Sequence, residues 1–192
     1  MALKAHGVEL GPAFVQDDQA YAPAGWRYGD SKIAVPFARL RTEAGRLVFT
    51  VKVPGDNELS CEEHETEVAD RGQMHAAVVA MGFAPTVRIV KSRRCGRWGD
   101  VSLCLDDVVG LGLFLELERL VPPETAGLAA QAELAGMVSA LGVNGERVEE
   151  TYDSLLRGVA LRYSLVTECH GSVPCSVINQ PSGGGWACLA RS

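Results

Sequence analysis

Apolar and polar residues alternate along most of this chain, and only a few stretches show helical spacing. The segments at 10–21 (LGPAFVQDDQAY), 36–42 (PFARLRT), 45–54 (GRLVFTVKVP) and 61–70 (CEEHETEVAD) read as strands. So do 86–96 (TVRIVKSRRCG), 100–108 (DVSLCLDDV) and 113–121 (LFLELERLV). A period of two is the mark of a half-buried strand. The short EAG at 43–45 predicts a hairpin turn, with Gly45 free to take a positive φ. Asp70 followed by Gln73 resembles a helix-capping pair, and Met74, Val78 and Met81 recur at helical spacing up to a stop at Gly82. A second helix is predicted from Pro122, Pro123 and Glu124, with Leu128, Leu134, Val138 and Leu141 as its stripe and Gly142 as its end. A third, over roughly 146–156, would pack Val148, Tyr152 and Leu155. Consecutive strands with a helix inserted and helices at the end predict an α+β fold on an antiparallel sheet.

Residues two apart in a strand share a face. Arg39 and Arg41 share one, as do Lys91 with Arg93, Glu116 with Glu118, and Glu63, Glu65 and Glu67. Lys52 aligns with Thr50, and Asp106 with Cys104. Each strand thus pairs an apolar face with a face carrying charges mostly of one sign, and basic and acidic strands interleave. One reading is a solvated sheet face laced with cross-strand ion pairs. The other is a barrel turned inside out, its apolar faces outward under helices and its charged lining meeting ions. Rows of Arg and Lys suit a polyphosphate, and grouped carboxylates suit Mg²⁺ or Mn²⁺.

Composition narrows the setting. The 192 residues, about half apolar, suffice for one domain with a core. A formal charge of −6 argues against nucleic acid as the partner. No apolar run reaches the ~18–20 residues of a membrane helix, and no signal-like segment opens the chain, so the expected location is the cytoplasm. The six cysteines, three of them scattered through strand-like segments, fit reduced thiols rather than a disulfide framework. Residues 157–192 lack a sustained period and are expected to form an irregular tail behind a 1–156 domain. Cys169, His170, Cys175 and Cys188 in that tail match no standard zinc spacing.

Over about Leu3 to Leu156 the chain resembles the CYTH group of triphosphate tunnel metalloenzymes, and within it the class IV adenylate cyclases. The resemblance rests on QDDQAY (16–21), ARLR and FTVK (38–52), EHETEV (63–68), MGF (81–83), IVKSR (89–93) and CLDDVVGLGLFLELE (104–118). The last follows the family pattern LDxVxGLGxFxExE over many positions. The resemblance implies an eight-stranded antiparallel barrel around a polar tunnel. It also implies phosphate contacts from Arg39, Arg41, Lys52, Lys91 and Arg93, metal binding by Glu116 and Glu118, and support from Glu65 and Glu67. Lys52 and Asp106 are the implied catalytic pair. The implied reaction converts ATP to cyclic AMP and pyrophosphate with Mg²⁺ or Mn²⁺, and a homodimer is plausible on the same ground. Hydrolysis of thiamine triphosphate or inorganic triphosphate is the alternative, and binding without turnover a third. The family's opening ExExK strand has no match here, which predicts a barrel one strand short with an edge exposed.

Overall fold

The computed structural model describes residues 2–122, 127–142, 145–159 and 185–191. In chain order these form α1 (Ala2–Ala5), β1 (Phe14–Pro23), β2 (Phe37–Glu43), β3 (Arg46–Pro54) and β4 (Ser60–Glu67). Then come α2 (Arg71–Ala80), β5 (Phe83–Trp98), β6 (Val101–Val108), β7 (Gly112–Leu120), α3 (Gly127–Leu141) and β8 (Glu146–Arg147). A helix α4 covers 152–159, and β9 (Gly185–Arg191) is last.

The sheet order is β4-β3-β2-β1-β5-β6-β7-β9-β8, with a further pairing of β4 with β9. Strands β1 to β7 are joined by antiparallel ladders. They curl until β4 and β7 approach the same strand, β9, which pairs with both in parallel. An exposed edge was expected at this seam. Strand β9 pairs along the length of β7 but meets β4 only at Ser60 and Cys61, leaving the rest of the β4 edge exposed, and residues 185–191 are a strand rather than irregular tail. The unpaired N–H and C=O groups along β4 and β7 are the physical reason, since such edges demand partners.

Local sequence explains the turns. Glu43 pairs with Arg46, leaving a two-residue loop in which Ala44 and Gly45 both have positive φ, 46° and 80°. This is the twist a tight hairpin requires, and glycine supplies it at little cost. Val108 pairs with Gly112, so the GLG segment is the β6–β7 turn, with φ of 84° at Gly110 and 92° at Gly112. Asp70 caps α2 as expected, its carboxylate accepting the Gln73 N–H at 2.8 Å.

The expected third helix starts later than 146. Glu146 and Arg147 pair with β9, and Thr151 precedes α4, its carbonyl accepting the Leu155 N–H at 3.1 Å. Of the predicted start of the second helix, Pro123 and Glu124 lie outside the described residues.

The apolar faces point outward and are roofed by helices. Val101, Leu103, Leu115 and Leu117 of β6 and β7 pack with Leu134, Val138 and Leu141 of α3 and with Val8. Tyr21, Ala38 and Leu40 of β1 and β2 pack with Val78 of α2. Trp98, at the end of β5, joins the first cluster and lies obliquely against His6. Because both clusters lie outside the strands, the interior is left to the charged faces. Leu134→Ala, at a fully buried position, should lower stability by about 2–5 kcal/mol without touching the interior. Urea unfolding would read this, and a change under 1 kcal/mol would place the core elsewhere.

Candidate functional site

Register, more than any single residue, builds the site. Asp18 of β1 lies opposite Arg41 of β2. Lys52 of β3 lies opposite Glu63 of β4, and Arg93 of β5 opposite Asp106 of β6. Arg39, Thr50 and Glu65 form one rung across three strands. Directly opposed side chains stand close enough to bond, and these do. Arg41 grips Asp18 with Nε and Nη2, both at 2.7 Å. Lys52 Nζ is 2.5 Å from Glu63, and Arg39 donates to Thr50 at 3.1 Å and Glu65 at 3.4 Å.

The centre is Asp106, fully buried. It accepts from Lys91 Nζ at 2.7 Å, Arg93 Nε at 2.6 Å and Nη2 at 2.5 Å, and the Tyr152 hydroxyl at 3.0 Å. Arg93 also bonds Glu116. The Lys91 ammonium sits 4.9 Å from the centre of the Tyr152 ring. Two cations, two carboxylates and a phenol thus form one network, with Tyr152 carried in by α4.

Electrostatics follow from this packing. Burial works to raise the Glu116 pKa, yet the Lys91 and Arg93 charges overcome it and hold the group at about 2. Asp18 is likewise buried and likewise held below its usual range, by Arg41. Burial pulls the Lys91 ammonium below its ordinary value, with neighbouring Arg93 adding to the effect. Burial and the Glu116 charge push the Tyr152 phenol up, so it stays a hydrogen-bond donor. Across β5 and β6, Cys104 donates a hydrogen bond to Cys95, which brings the Cys95 thiol below its ordinary value.

A cavity of about 180 Å³ opens onto this network, and Arg39, Arg41, Lys52, Lys91, Arg93 and Glu116 all line it. At its mouth stand Trp26 and Phe37, ring to ring at 5.1 Å. Lys32, also in the lining, bonds Thr151 at 2.8 Å and Ser154 at 2.7 Å on the α4 side and Glu58 at 2.9 Å.

Six basic side chains, Lys32 included, thus line one cavity together with Glu116. A family model described as CYTH domain matches residues 29–152. The chain belongs to the CYTH family. It is 30% identical over 123 residues to a Methanocaldococcus jannaschii protein named "Putative adenylate cyclase MJ0240", covering 63% of this chain and 70% of that one. The PH1819 protein of Pyrococcus horikoshii has a similar fold, with TM-score 0.68, 24% identity, and 82% and 90% of the two chains covered. A conserved hypothetical protein of Pyrococcus furiosus gives TM-score 0.57 at 19% identity, with 74% and 82% covered.

Within this CYTH chain, the expected phosphate-facing residues do converge on one cavity. Four of the expected acids do not line it, Asp106 being buried within the network. Glu65 is half-exposed at the end of the Arg39 rung, and Glu67 pairs with Arg46 in solvent. Glu118 shares a face with Glu116, opposite Ser102, but does not line the cavity. His75 lies outside the barrel, bonded to Tyr21 at 2.8 Å. Sequence reasoning missed Asp18, Lys32 and the inward role of Tyr152. The period-two spacing of Gln16 and Asp18 could have flagged the first. Lys32 sits in a loop and carries no such signal.

The metal implied by the family meets a sparse donor set. Among the described residues no group of three or more His, Cys, Asp or Glu side chains comes together as an ion site. Mg²⁺ is commonly held by one or two carboxylates plus phosphate oxygens and water. Glu116, in the lining, fits an ion that arrives with a phosphate chain, while Glu118 lies on the same face of β7 but outside the lining. No helix of the described residues is long and apolar enough to cross a membrane.

Two outcomes follow from the network. Asp106→Ala leaves Lys91 and Arg93 buried without their shared anion, and should cost about 3–5 kcal/mol. Glu65→Ala, at a half-exposed pair, should cost less than about 1 kcal/mol. Equal losses in urea unfolding would contradict the buried network. Acid should also destabilise the fold. The folded pKa of Glu116, about 2, lies below its ordinary 4.5. Its stabilising contribution is therefore complete above about pH 5 and lost as pH falls toward 2. Unfolding midpoints measured from pH 7 to pH 3 should fall more steeply in the native chain than in Glu116→Gln.

Proposed function

We propose that this chain binds a nucleoside triphosphate in its tunnel and, with Mg²⁺ or Mn²⁺, converts ATP to cyclic AMP and pyrophosphate. The observation that supports the reading is the convergence of Arg39, Arg41, Lys52, Lys91 and Arg93, from three strands, on one cavity. An apolar mouth lies beside them, lined by Trp26 and Phe37. The name of the Methanocaldococcus relative points the same way.

In this reading Arg39, Arg41 and Lys52 neutralise and orient the phosphate chain, since charge-assisted bonds to phosphate are strong and directional. Lys91 and Arg93 face the same anion from β5, across β1 from β2. Asp106, its acceptor capacity taken by four donated bonds, acts by positioning those two cations rather than by taking a proton. Lys52 faces the cavity and remains the better candidate for direct contact with the reacting phosphate. Glu116 and Glu118 would hold the metal, which when bound supplies charge neutralisation to the phosphate oxygens. Cyclisation requires the ribose 3′-oxygen in line with the α-phosphorus, so the protein's contribution is mainly placement and fixed charge.

A second reading, binding without turnover, draws support from the sparse donor set, because Glu116 is already committed to Arg93. Incubation with ATP and Mn²⁺, followed by chromatographic separation, distinguishes the readings. Cyclic AMP with pyrophosphate is expected. ADP with phosphate would indicate a hydrolase, and unchanged ATP with measurable binding would leave a binder. Glu118→Ala should abolish the metal-dependent product while retaining triphosphate binding. Arg39→Ala should weaken inorganic triphosphate binding by about tenfold or more, the scale of a lost charge-assisted bond, and high salt should narrow the difference.

A further inference from the structure

Cys95 and Cys104 face each other across β5 and β6, on the tunnel side of both strands and one rung from Arg93 and Asp106. Both are free and half-buried, and the opposed thiols shift each other's acidity, Cys95 downward and Cys104 upward. Two backbone observations fix the kind of rung they occupy. Val109 N–H donates to Val90 O at 2.9 Å, which makes 90 and 109 a hydrogen-bonded pair. Counting along the regular ladder, 95 and 104 then fall on a non-hydrogen-bonded pair. Independently, Cys95 O accepts from Gly11 N–H at 2.8 Å, so that carbonyl points away from β6. Such pairs bring Cα atoms to about 4.5 Å, at the short end of the range that disulfides span.

We propose that Cys95 and Cys104 form a reversible disulfide across β5 and β6, a redox modification site in the tunnel wall. The oxidant is a low-molecular-weight disulfide. The Cys95 thiolate attacks one of its sulfurs, forming a mixed disulfide and releasing one thiol. Cys104 gives up its proton and displaces the second thiol, forming the Cys95–Cys104 bond. Two protein thiols are oxidised and one reagent disulfide is reduced to two thiols.

The bond has a direction of effect. Cys95 is anchored by Gly11, and a Cβ on neighbouring Gly96 would lie only 2.4 Å from Glu9 O. The β5 side is therefore held, and drawing the sulfurs together moves β6. Asp106 lies two residues along β6, and Glu116 lies opposite Cys104 on β7. Oxidation thus disturbs the anion that positions Lys91 and Arg93. This consequence for ligand binding rests on the triphosphate reading above, whereas the disulfide does not.

The test treats the full, reduced chain with excess oxidised glutathione, removes the reagent, alkylates remaining thiols and maps peptides by mass. The expected result is a linked 95–104 peptide pair, two hydrogens lighter than its reduced components and released by dithiothreitol. Cys104→Ser should instead retain glutathione on Cys95, and Cys95→Ser serves if that variant does not fold. Alkylation of both cysteines after oxidation, or links only to Cys61, Cys169, Cys175 or Cys188, would overturn the proposal. Calorimetry with inorganic triphosphate then separates the two claims. Binding weaker by about tenfold after oxidation, the scale of one weakened hydrogen bond to a charged group, supports the coupling. Equal affinity in both redox states would overturn the coupling. Absence of binding even in the reduced chain would count against the triphosphate reading and leave the disulfide standing.

Discussion

A charged group inside a protein must find its counter-charge, and that requirement organises this barrel. Asp106 has no exposure, and Lys91 and Arg93 have almost none. Left alone, any of the three would be costly to bury. Together with Glu116 and Tyr152 they form a closed set in which the carboxylate of Asp106 receives four hydrogen bonds. The same rule repeats at Asp18 with Arg41 and at Lys52 with Glu63. Antiparallel register delivers these pairs without long-range luck, because acidic and basic strands are laid side by side and the opposed positions coincide.

An inward charged face forces the apolar face outward, and this sets the rest of the architecture. Leu103, Leu115 and Leu117 would meet water if α3 did not cover them, and Ala38 and Leu40 depend in the same way on α2. The helices are therefore roofs over the strands rather than plugs in the core. Helix α4 is the exception. It sends Tyr152 through the mouth to the Asp106 cluster, while Lys32 ties the loop before β2 to the start of that helix. One consequence is that the cavity's shape depends on a helix distant in sequence from the strands lining it.

Much of this was legible in the alternation itself. Arg39 with Arg41 and Lys91 with Arg93 announce which face is charged, and the GLG run announces the hairpin that places Glu116. A resemblance to the CYTH family then decided between a solvated face and a tunnel, which alternation alone left open. Glu65 and Glu67 show the limit of spacing. They share a face with Glu63, but β4 leans away from the cavity toward its exposed end, and depth along a strand is not encoded in a period of two. Lys32 and Tyr152 were unreadable for a different reason: Lys32 meets Thr151 and Ser154, 119 and 122 residues along the chain, and Tyr152 meets Asp106, 46 residues back. The seam strand β9 belongs to the same class, since nothing local in its sequence names β4 and β7 as partners.

The tunnel as it stands is already neutralised by its own carboxylates, and this shapes how an anion could enter. A triphosphate does not meet bare cations. It must displace Asp18 from Arg41, Glu63 from Lys52 or Glu116 from Arg93, and a displaced carboxylate needs a new partner in a poorly hydrated space. A divalent ion travelling with the phosphates answers that need for Glu116, since it exchanges one positive neighbour for another. Asp106 is less easily moved, being fully buried and held by both Lys91 and Arg93 as well as Tyr152. The exchangeable pairs therefore line the cavity, while the fixed one lies beneath them and keeps two cations aimed at whatever enters. Ligand, metal and proton binding are for this reason expected to be linked through Glu116, which both bonds Arg93 of the fixed network and lines the open space.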